Sequence, residues 1–591
     1  METDQLIVIA VLAGALVLFS VDYWRYDVVA VLALMVLAIT GIVPADEAFS
    51  GFGHAAVVTV AAVLILSAAL EASGVVDRIT SHLTTVATRP LTIVAALCVT
   101  VAALSSVMNN VGALVLMLPV AVQVATRHGI STSLVLMPLG FASILGGLTT
   151  LIGTPPNIIV STYRQEAMGS PYELFDFAPV GLLVVAAGVA VLVFFARMLV
   201  KDRGGTRVED ALEQISAYIS EVTIPTESPF VGKTIRDIEE LGGGSCSILA
   251  LVRGDQRRFA PPRYRALMAD DVLVIEADPE TLQAVIDEPG IELTGERRLD
   301  AKQLISDDIT LVEVVVKSGS LLERRTAAQL SLHSRFGVNL LAVSHQGRKL
   351  TTRLGRTRFK AGDVLLLQGD AEAIPDVLYR LGCLPIRERQ FRGRRSSTLL
   401  PAIVFGLALV VSALGLLEVQ IALVSAVLII VLTRQLRVRE AYERVDWSII
   451  VLLGAMVPVG RSLETTGVTT LFAQWILETS LEAGPGLIVA LLLVVSMAVS
   501  NVVNNAATAI LMAPIALSLA DSLGRGPDGF LMAVAIGSSC AFLTPIGHQS
   551  NLLVMGPGGY RFGDYWRLGL PLSVVSLMVA AVGILLVWPV D

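Results

Sequence analysis

Long apolar runs without charged residues dominate the pattern of the chain and predict most of its structure. The clearest runs cover residues 6–21, 28–43, 177–196, 399–417 and 568–588. A helix of about 20 apolar residues crosses the roughly 30 Å hydrocarbon core of a bilayer. The pattern therefore predicts a polytopic α-helical membrane protein.

Two uncharged runs are too long for one straight span each. Residues 90–126 and 128–163 contain no Asp, Glu, Lys or Arg, and both runs have polar, helix-breaking segments in the middle, SSVMNN in the first and GGLTTLIGTPPN in the second. Non-helical backbone at membrane depth is tolerated only where it is buried in protein or lines a cavity. Each run must therefore contain more than one crossing or a helix that breaks, and the interruptions indicate a cavity. We predict a re-entrant hairpin in the first run and a broken helix in the second.

The same two segments recur near the other end of the chain. SSVMNNVGALVLMLP at 105–119 corresponds without a gap to SNVVNNAATAILMAP at 500–514. GLTTLIGTPPN at 147–157 corresponds to FLTPIGHQSN at 542–551 if one residue is dropped. The sequence thus predicts a second hairpin and a second broken helix.

The basic segments set the relative orientation of the two halves. The positive-inside rule places the basic ends of residues 201–397, and the segment 434–444, in the cytoplasm. The span 447–460 then runs outward, whereas its counterpart 55–70 runs inward. Equivalent segments that enter from opposite faces form an inverted repeat, an architecture of many secondary transporters.

Composition separates a soluble insert from the membrane halves. The whole chain is 54% hydrophobic and 16% charged, with a net charge of −8, yet residues 201–397 hold 29 of the 43 Lys and Arg. Within them, ADDVLVIEADPETLQAVID from residue 269 recurs as AGDVLLLQGDAEAIPDVLY from residue 361. We therefore predict a membrane half, two α+β domains and a second membrane half. Their predicted boundaries are 1–200, 201–295, 296–397 and 398–591.

Two adjacent asparagines at each predicted hairpin tip are the strongest candidates for chemistry. Amide oxygens suit a hard cation such as sodium, and amide nitrogens can donate to an anion. The alternative is ordinary hydrogen bonding between helices. The hairpin candidates, including the serine that opens each motif, are Ser105, Asn109, Asn110, Ser500, Asn504 and Asn505.

The predicted helix breaks supply a second group of candidates. Glycine and proline free backbone groups there, and the N-terminus of a half-helix favours an anion, although a packing kink would explain the same residues. The candidates are Thr149, Gly153, Thr154 and Asn157 in the first break, and Thr544, Gly547, His548, Ser550 and Asn551 in the second.

Other functional classes lack their motifs. The chain has no P-loop, metal-ligand cluster or nucleophile–base arrangement, and its four cysteines show no CxxC spacing. This argues against an enzyme, an ATP-driven pump and a cofactor-binding protein. Basic segments at 256–265 and 353–360 fit either a solvated surface or a phosphate-bearing, nucleotide-like regulatory ligand.

The repeated asparagine hairpins, LIGTPPN and TPIGHQSN resemble the divalent anion/sodium symporter family of sulfate and dicarboxylate transporters. The insert resembles two TrkA C-terminal (RCK-C) domains. This resemblance implies a homodimer with an elevator-like movement, and an anion and sodium held between the hairpin tips and the broken helices. Carried over by position, sodium would contact Asn109, Asn110, Gly153, Asn504, Asn505 and Gly547.

The chain departs from the family pattern at three positions. Val111 and Ala506 stand where the family commonly has a threonine, and GHQSN replaces the second GTPPN-like motif. The loss of these two hydroxyls removes two donors from an anion site and two possible sodium ligands, so it affects the expected substrate and the expected sodium coupling. His548 could titrate, which adds the proton as an alternative coupling ion.

These observations predict a multi-pass transporter of the plasma membrane for a small dianion, sulfate before a dicarboxylate. Sodium is the expected coupling ion, residues 201–397 are expected to be cytoplasmic and regulatory, and no nucleic acid is expected as a partner. A sodium/proton or arsenite-type antiporter of the same superfamily is one alternative. An ion channel gated by the RCK-like domains is the other.

Overall fold

The structure of the protein, a computed structural model, describes most of the chain. The described residues are 3–21, 25–73, 89–202, 219–241, 246–254, 256–259, 261–277, 285–293, 309–317, 319–345, 348–350, 357–370, 373–386, 398–471, 484–503 and 505–589. Asn504 and the basic residues 353–356 thus lie outside the described residues.

Apolar helices build the first part of the chain. Several begin or break where glycine, proline or asparagine interrupts the apolar pattern, because these residues favour caps and turns. The helices are α1 (Thr3–Val21), α2 (Tyr26–Ile39), α3 (Ala55–Ala72), α4 (Pro90–Ser105), α5 (Asn110–Arg127), α6 (Ser133–Gly146), α7 (Pro155–Met168) and α8 (Ala178–Leu199).

The insert contains two five-stranded antiparallel sheets. Its elements are β1 (Ile219–Ile224), α9 (Ile235–Leu241), β2 (Cys246–Arg253), β3 (Gln256–Phe259), β4 (Asp271–Ala277), β5 (Glu292–Leu293), β6 (Ile309–Val316), α10 (Ala327–Leu330), α11 (Leu332–Phe336), β7 (Asn339–His345), β8 (Arg348–Leu350), β9 (Val364–Asp370), α12 (Ile374–Leu381) and β10 (Cys383–Pro385).

The two sheets are copies of one topology. The strand order is β3-β2-β4-β1-β5 in the first, and β8-β7-β9-β6-β10 in the second. Val222 pairs with Leu273 in the first, as Val314 pairs with Leu365 in the second. An irregularity in β2 also recurs at the equivalent place in β7. The sequence repeat of the insert is therefore also a structural repeat.

Apolar helices resume after the insert. They are α13 (Leu400–Ala413), α14 (Val419–Leu432), α15 (Val438–Arg444), α16 (Trp447–Thr465), α17 (Pro485–Ser500), α18 (Asn505–Ser522), α19 (Asp528–Ser539), α20 (Gln549–Met555) and α21 (Tyr565–Val587). Of these, α15 is short and contains two Arg and two Glu. The series α17 to α21 corresponds in order to α4 to α8, and α20 is half as long as α7, with 7 residues against 14.

Four of the described helical segments are long and apolar enough to cross a membrane by themselves: Asn110–Arg127, Ala178–Leu199, Asn505–Ser522 and Phe562–Val587. Several of the other described apolar helices are shorter, such as α4 and α17 with 16 residues each. The predicted runs 28–43 and 399–417 form helices of 14 residues each, α2 and α13. Their last residues turn out of the helix at Gly41 and Gly415, which have positive φ angles of 78° and 68°.

Candidate functional site

The two hairpins have the same internal anchor. Helices α4 and α5, with the turn between them, form the first hairpin; α17 and α18 form the second. Ser105 Oγ donates to the carbonyl of Ser143 in α6 at 2.6 Å. Ser500 Oγ, in the equivalent place, donates to the carbonyl of Ser538 in α19. Each hairpin is therefore fixed to the broken helix beside it.

The asparagine pairs start the return helices. Asn109 caps α5, since its side-chain oxygen accepts from the backbone N–H of Val111 at 3.0 Å. Asn505 begins α18, and its side-chain oxygen accepts from the N–H of Ala506 at 2.8 Å. Such bonds satisfy donors that a helix start otherwise leaves unpaired. Val111 and Ala506 thus occupy the first turns of the two return helices.

Each break is tied to the adjacent hairpin tip by a threonine. Thr150 Oγ1 donates to the carbonyl of Ser106 in the first copy. Thr544 Oγ1 donates to the carbonyl of Asn501 at 2.7 Å in the second. The predicted candidate Thr149 instead bonds to the carbonyl of Gly146, within its own helical turn, at 2.8 Å. Thr150 is therefore the structural counterpart of Thr544.

One asparagine closes each break. Asn157 Nδ2 donates to the carbonyls of Gly147 at 3.2 Å and Thr150 at 2.8 Å. Asn551 Nδ2 donates to the carbonyls of Ala541 at 2.9 Å and Thr544 at 3.0 Å. These bonds reach back ten and seven residues in both copies, so residues 147–157 correspond to residues 541–551 with no residue dropped between them.

The side-chain oxygens of these two asparagines take no part in the bonds that close the breaks. Asn157 Oδ1 and Asn551 Oδ1 are buried and have no hydrogen-bond partner, and Thr154 Oγ1 beside them is in the same condition. A buried polar atom without a partner costs about 1–3 kcal/mol. These three oxygens at equivalent or adjacent positions are therefore acceptors that a cation or another donor could use.

The two copies meet at Asn110 and His548. The Asn110 amide satisfies its neighbours when its nitrogen donates to the Gly153 carbonyl at 3.0 Å and its oxygen accepts from His548 Nε2 at 3.3 Å. His548 Nδ1 accepts from the N–H of Ser550 at 3.1 Å. The ring is then the neutral form with its hydrogen on Nε2. Ser143 Oγ reaches Ser550 Oγ at 3.3 Å and adds a second link between the copies.

Glycine is needed where the breaks fold back on themselves. A Cβ on Gly153 would lie 2.6 Å from the carbonyl oxygen of Gly147. A Cβ on Gly547 would lie 2.8 Å from the carbonyl oxygen of Ser500. Both distances are too short for any other residue without a shift of the backbone. These two predicted residues therefore shape the site by their size.

The described part of the site is polar but uncharged. Its side chains are amides, hydroxyls and one imidazole, and the described residues contain no group of three or more His, Cys, Asp or Glu that could hold a metal ion. The structure brings the predicted residues of both copies together, with Asn504 outside the described residues. Sequence reasoning missed Thr150, Ser143 and Ser538, although the two serines have the same spacing as the hairpin repeat.

Comparisons with known proteins point to transporters. The family model described as citrate transporter matches residues 15–528. An uncharacterized transporter of Synechocystis is 30% identical over 99% of this chain and 97% of its own length. Sodium/sulfate cotransporter 2 of Chlamydomonas reinhardtii is 24% identical over 61% of this chain and 42% of its own length. The solved structure of the Alcanivorax borkumensis YdaH transporter aligns over the whole chain with a TM-score of 0.45 and 12% identity.

Proposed function

The chain belongs to the citrate transporter family, and from this membership we propose that it is a secondary active transporter of a small dianion, sulfate before a dicarboxylate, coupled to sodium. The family and these relatives are transporters and not enzymes, and the apolar helices fit a multi-pass membrane protein. Relatives named sodium/sulfate cotransporters support the choice of ion and substrate.

The observation that carries the sodium proposal is the pair of unpartnered oxygens, Asn157 Oδ1 and Asn551 Oδ1. Sodium is a hard cation and prefers oxygen ligands, as calcium and magnesium do. The carbonyl of Gly153 and the amide oxygens of the hairpin tips, which accept hydrogen bonds in this structure, are proposed to complete the set. We propose one sodium site in each copy, with the anion between them.

Donors for an anion are present in the same place. The amide nitrogen of Asn110 donates to the carbonyl of Gly153 within the first copy, and Nε2 of His548 donates across the contact between the two copies to the Asn110 oxygen. Helix α7 begins beside them at Pro155, and the N-terminus of a helix stabilises negative charge. Neutral donors of this kind can hold a dianion and still release it, since no fixed cation binds it permanently.

We propose that the movement is elevator-like, that the halves form an inverted repeat, and that the protein is a homodimer. Support comes from the resemblance and from the same hydrogen-bond frame in both copies. The insert is proposed to be two cytoplasmic RCK-C domains with a regulatory role, for which the repeated sheet topology is the support. The four predicted domain boundaries are kept as part of this proposal.

Uptake by proteoliposomes tests the proposal. We expect the purified protein to accumulate labelled sulfate when sodium is outside, and to accumulate much less when choline replaces sodium. Asn157→Ala and Asn551→Ala should each weaken the response to sodium. Thr149→Val, which removes a bond inside one helical turn, is the matched control. Absence of uptake of sulfate, succinate and citrate under both sodium and proton gradients would refute the proposal.

A proton is the second candidate for the coupling ion, and His548 is the observation that favours it. Its Nε2 donates to the Asn110 oxygen of the first copy, and its Nδ1 accepts from the backbone N–H of Ser550. If protons drive transport, a pH gradient should support uptake without sodium, and His548→Gln should abolish that uptake. If sodium alone drives transport, the same variant should keep its sodium dependence. The antiporter alternative needs a carboxylate near the hairpins, and residues 90–126 and 483–520 contain none.

A further inference from the structure

The second sheet of the insert touches the helix that follows the second break. A Cβ on Gly362, in the turn before β9, would lie 2.8 Å from the carbonyl oxygen of Leu552 in α20. A Cβ on Gly556, at the end of α20, would lie 2.0 Å from the carbonyl oxygen of Gly362. The two backbones are thus in direct contact, and only glycine allows it.

Apolar side chains surround this contact. In a strand, alternate residues point to opposite faces. Val312, Val314 and Val316 of β6 lie in the core of the insert sheet. Val315, together with Val364 of β9, belongs instead to the core formed by the apolar helices. One face of the second sheet is therefore packed on the transporter part of the molecule.

The docked turn lies next to the candidate site. A small cavity beside Gly362 is lined by Val111 of the first hairpin and by Gln549 and Leu552 of α20. Val111 follows Asn110, and Gln549 follows His548, so the cavity adjoins both partners of the bond between the two copies. A shift of the turn would therefore act on both groups.

The first sheet of the insert has the same turn without this contact. Asp270 stands at the position of Gly362, and both residues have left-handed backbone, with φ of 62° and 84°. Thr223 stands at the position of Val315. Among the described residues, the apolar cluster of the first sheet, which includes Val222 and Leu273, is separate from the core of the apolar helices, and that core contains no residue of β1 to β5. Docking is thus a specialisation of the second copy.

A titratable pair stabilises the docked turn. His345 Nδ1 lies 2.6 Å from Asp363 Oδ1, and the Asp363 side chain is 3% exposed. The first copy has Arg253 and Asp271 in these positions, with the nearest atoms also 2.6 Å apart. An arginine keeps its charge at every physiological pH, whereas an imidazole can gain or lose its charge near neutrality. Of these two pairs, only that of the second copy contains an imidazole.

Burial raises the pKa of the Asp363 carboxyl, because a buried carboxylate loses its hydration. The backbone N–H of Lys360, at 2.8 Å from Oδ2, and the imidazole of His345 oppose this effect. Lys360 also contributes its charge, while Gln549, Leu552 and Leu553 of α20 line the cavity at the turn and carry none. Lys317, at the end of β6, lines the same cavity. A charged imidazole therefore stabilises the ionised Asp363 carboxylate, and with it the turn, more than a neutral imidazole does.

We propose that the turn formed by residues 361–363 is a proton-responsive brake, which docks on α20 and slows transport when the solution around the insert becomes acidic. This inference rests on the proposed transport function and names the signal that regulates it. With His345 protonated, the second copy has the same charges as Arg253 and Asp271, and the turn remains docked. With His345 neutral, the pair weakens, and α20 and the first hairpin are released.

Sulfate uptake at a series of pH values tests the brake, with the same pH on both sides so that no proton gradient contributes. We expect uptake by the unmodified protein to rise by about five- to tenfold between about pH 6 and pH 8, the low end of ordinary allosteric coupling. His345→Arg should hold uptake low at every pH. Gly362→Asp, which installs the residue of the first copy, should hold it high at every pH.

Arg253→His is the matched control, because it places the same titratable pair in the copy that does not dock. It should leave the pH response unchanged. Equal pH responses in the unmodified protein, His345→Arg and Gly362→Asp would overturn the brake while leaving transport in place. The same holds if Arg253→His alters the response as strongly as His345→Arg.

Hydrogen exchange separates this inference from the proposed function. At one fixed pH, Gly362→Asp should speed the exchange of the amides of residues 549–555 by about tenfold, since a released helix opens more often. This readout needs no substrate, so it remains valid if no anion is transported. Unchanged exchange in α20 would overturn the docking proposal, whereas absent uptake would overturn only the proposed function.

Discussion

Thr149 and Thr150 are neighbours with different roles in the first break. The hydroxyl of Thr149 bonds inside its own turn, while that of Thr150 joins the break to the carbonyl of Ser106 at the hairpin tip. Removing a buried partner leaves that carbonyl unsatisfied, at a cost of about 1–3 kcal/mol. The two positions therefore form a matched pair for mutagenesis.

We expect Thr150→Val to reduce uptake at subsaturating substrate by about tenfold, because about 1.4 kcal/mol corresponds to a factor of ten. Thr149→Val should change uptake less than about twofold. Thr544→Val should behave as Thr150→Val does, since it removes the equivalent bond. Initial rates in proteoliposomes measure all three. Equal effects of the two neighbouring substitutions would show that the hydroxyl of Thr150 has no special role.

The sequence predicts the frame of the site better than its details. Asparagines, glycines and prolines repeat because both copies need the same caps and breaks, so their spacing locates the two hairpins and the two breaks. Two adjacent threonines and one dropped residue leave the choice between Thr149 and Thr150 undetermined. The hydrogen bond between Asn110 and His548 could not be predicted from the repeat either, because it joins residues of different copies.

At the scale of elements, α7 is held from two sides. Arg164 forms an ion pair with Asp528 at the start of α19, with Nε and Oδ1 2.7 Å apart. Glu166 forms one with Arg461 of α16, with NH2 and Oε1 2.5 Å apart. Gly460 of α16 lies against α7, and a Cβ there would lie 1.8 Å from the hydroxyl oxygen of Tyr163. The first broken helix therefore depends on a close approach of α16.

We expect Gly460→Ala to destabilise the protein by about 1–3 kcal/mol, because the added methyl group overlaps the Tyr163 hydroxyl. Tyr163→Phe removes that oxygen and should restore most of the loss in the double variant. Thermal unfolding in detergent of the four proteins gives the coupling between the two positions. Additive effects would mean that the two side chains do not meet.

Periodicity does not reveal which partner a strand face will find. The alternation of β6 predicts two faces, and both are apolar at its end, but the pattern does not say that one face packs on helices. The sequence feature that marked this contact was a difference between the two similar turns, with Asp270 in the first copy and Gly362 at the equivalent position of the second. A residue that changes between two copies of a repeat thus indicates where the copies differ in contact.

At the scale of the whole molecule, docking should make the second insert sheet more resistant to unfolding than the first. Val315, Val364 and Ile386 of the second sheet lie in the core of the apolar helices. Burial of such side chains contributes about 1.5–3 kcal/mol each. The first sheet has its own cluster among the described residues and lacks this added stability.

The buried cysteines Cys246 and Cys383 report on the two sheets separately. Burial raises the pKa of the Cys383 thiol to about 12, so the folded protein should react slowly with iodoacetamide at neutral pH. In increasing urea we expect Cys246 to become reactive first, with the midpoint for Cys383 higher by about 1 M or more. Peptide mapping by mass spectrometry measures both. Gly362→Asp should bring the midpoints together, and coincident midpoints in the unmodified protein would contradict the prediction.

The hydrogen bond between Asn110 and His548 has a consequence for the order of binding. It pairs one donor, which an anion needs, with one acceptor, which a cation needs. Whichever ligand arrives first breaks this bond and frees the other group for the second ligand. The free energy of breaking the bond is therefore spent on the first ligand and not again on the second. For a bond of about 1 kcal/mol, each ligand should raise the affinity of the other by about fivefold. Cooperative binding of the proposed ion and anion would then follow from this single contact.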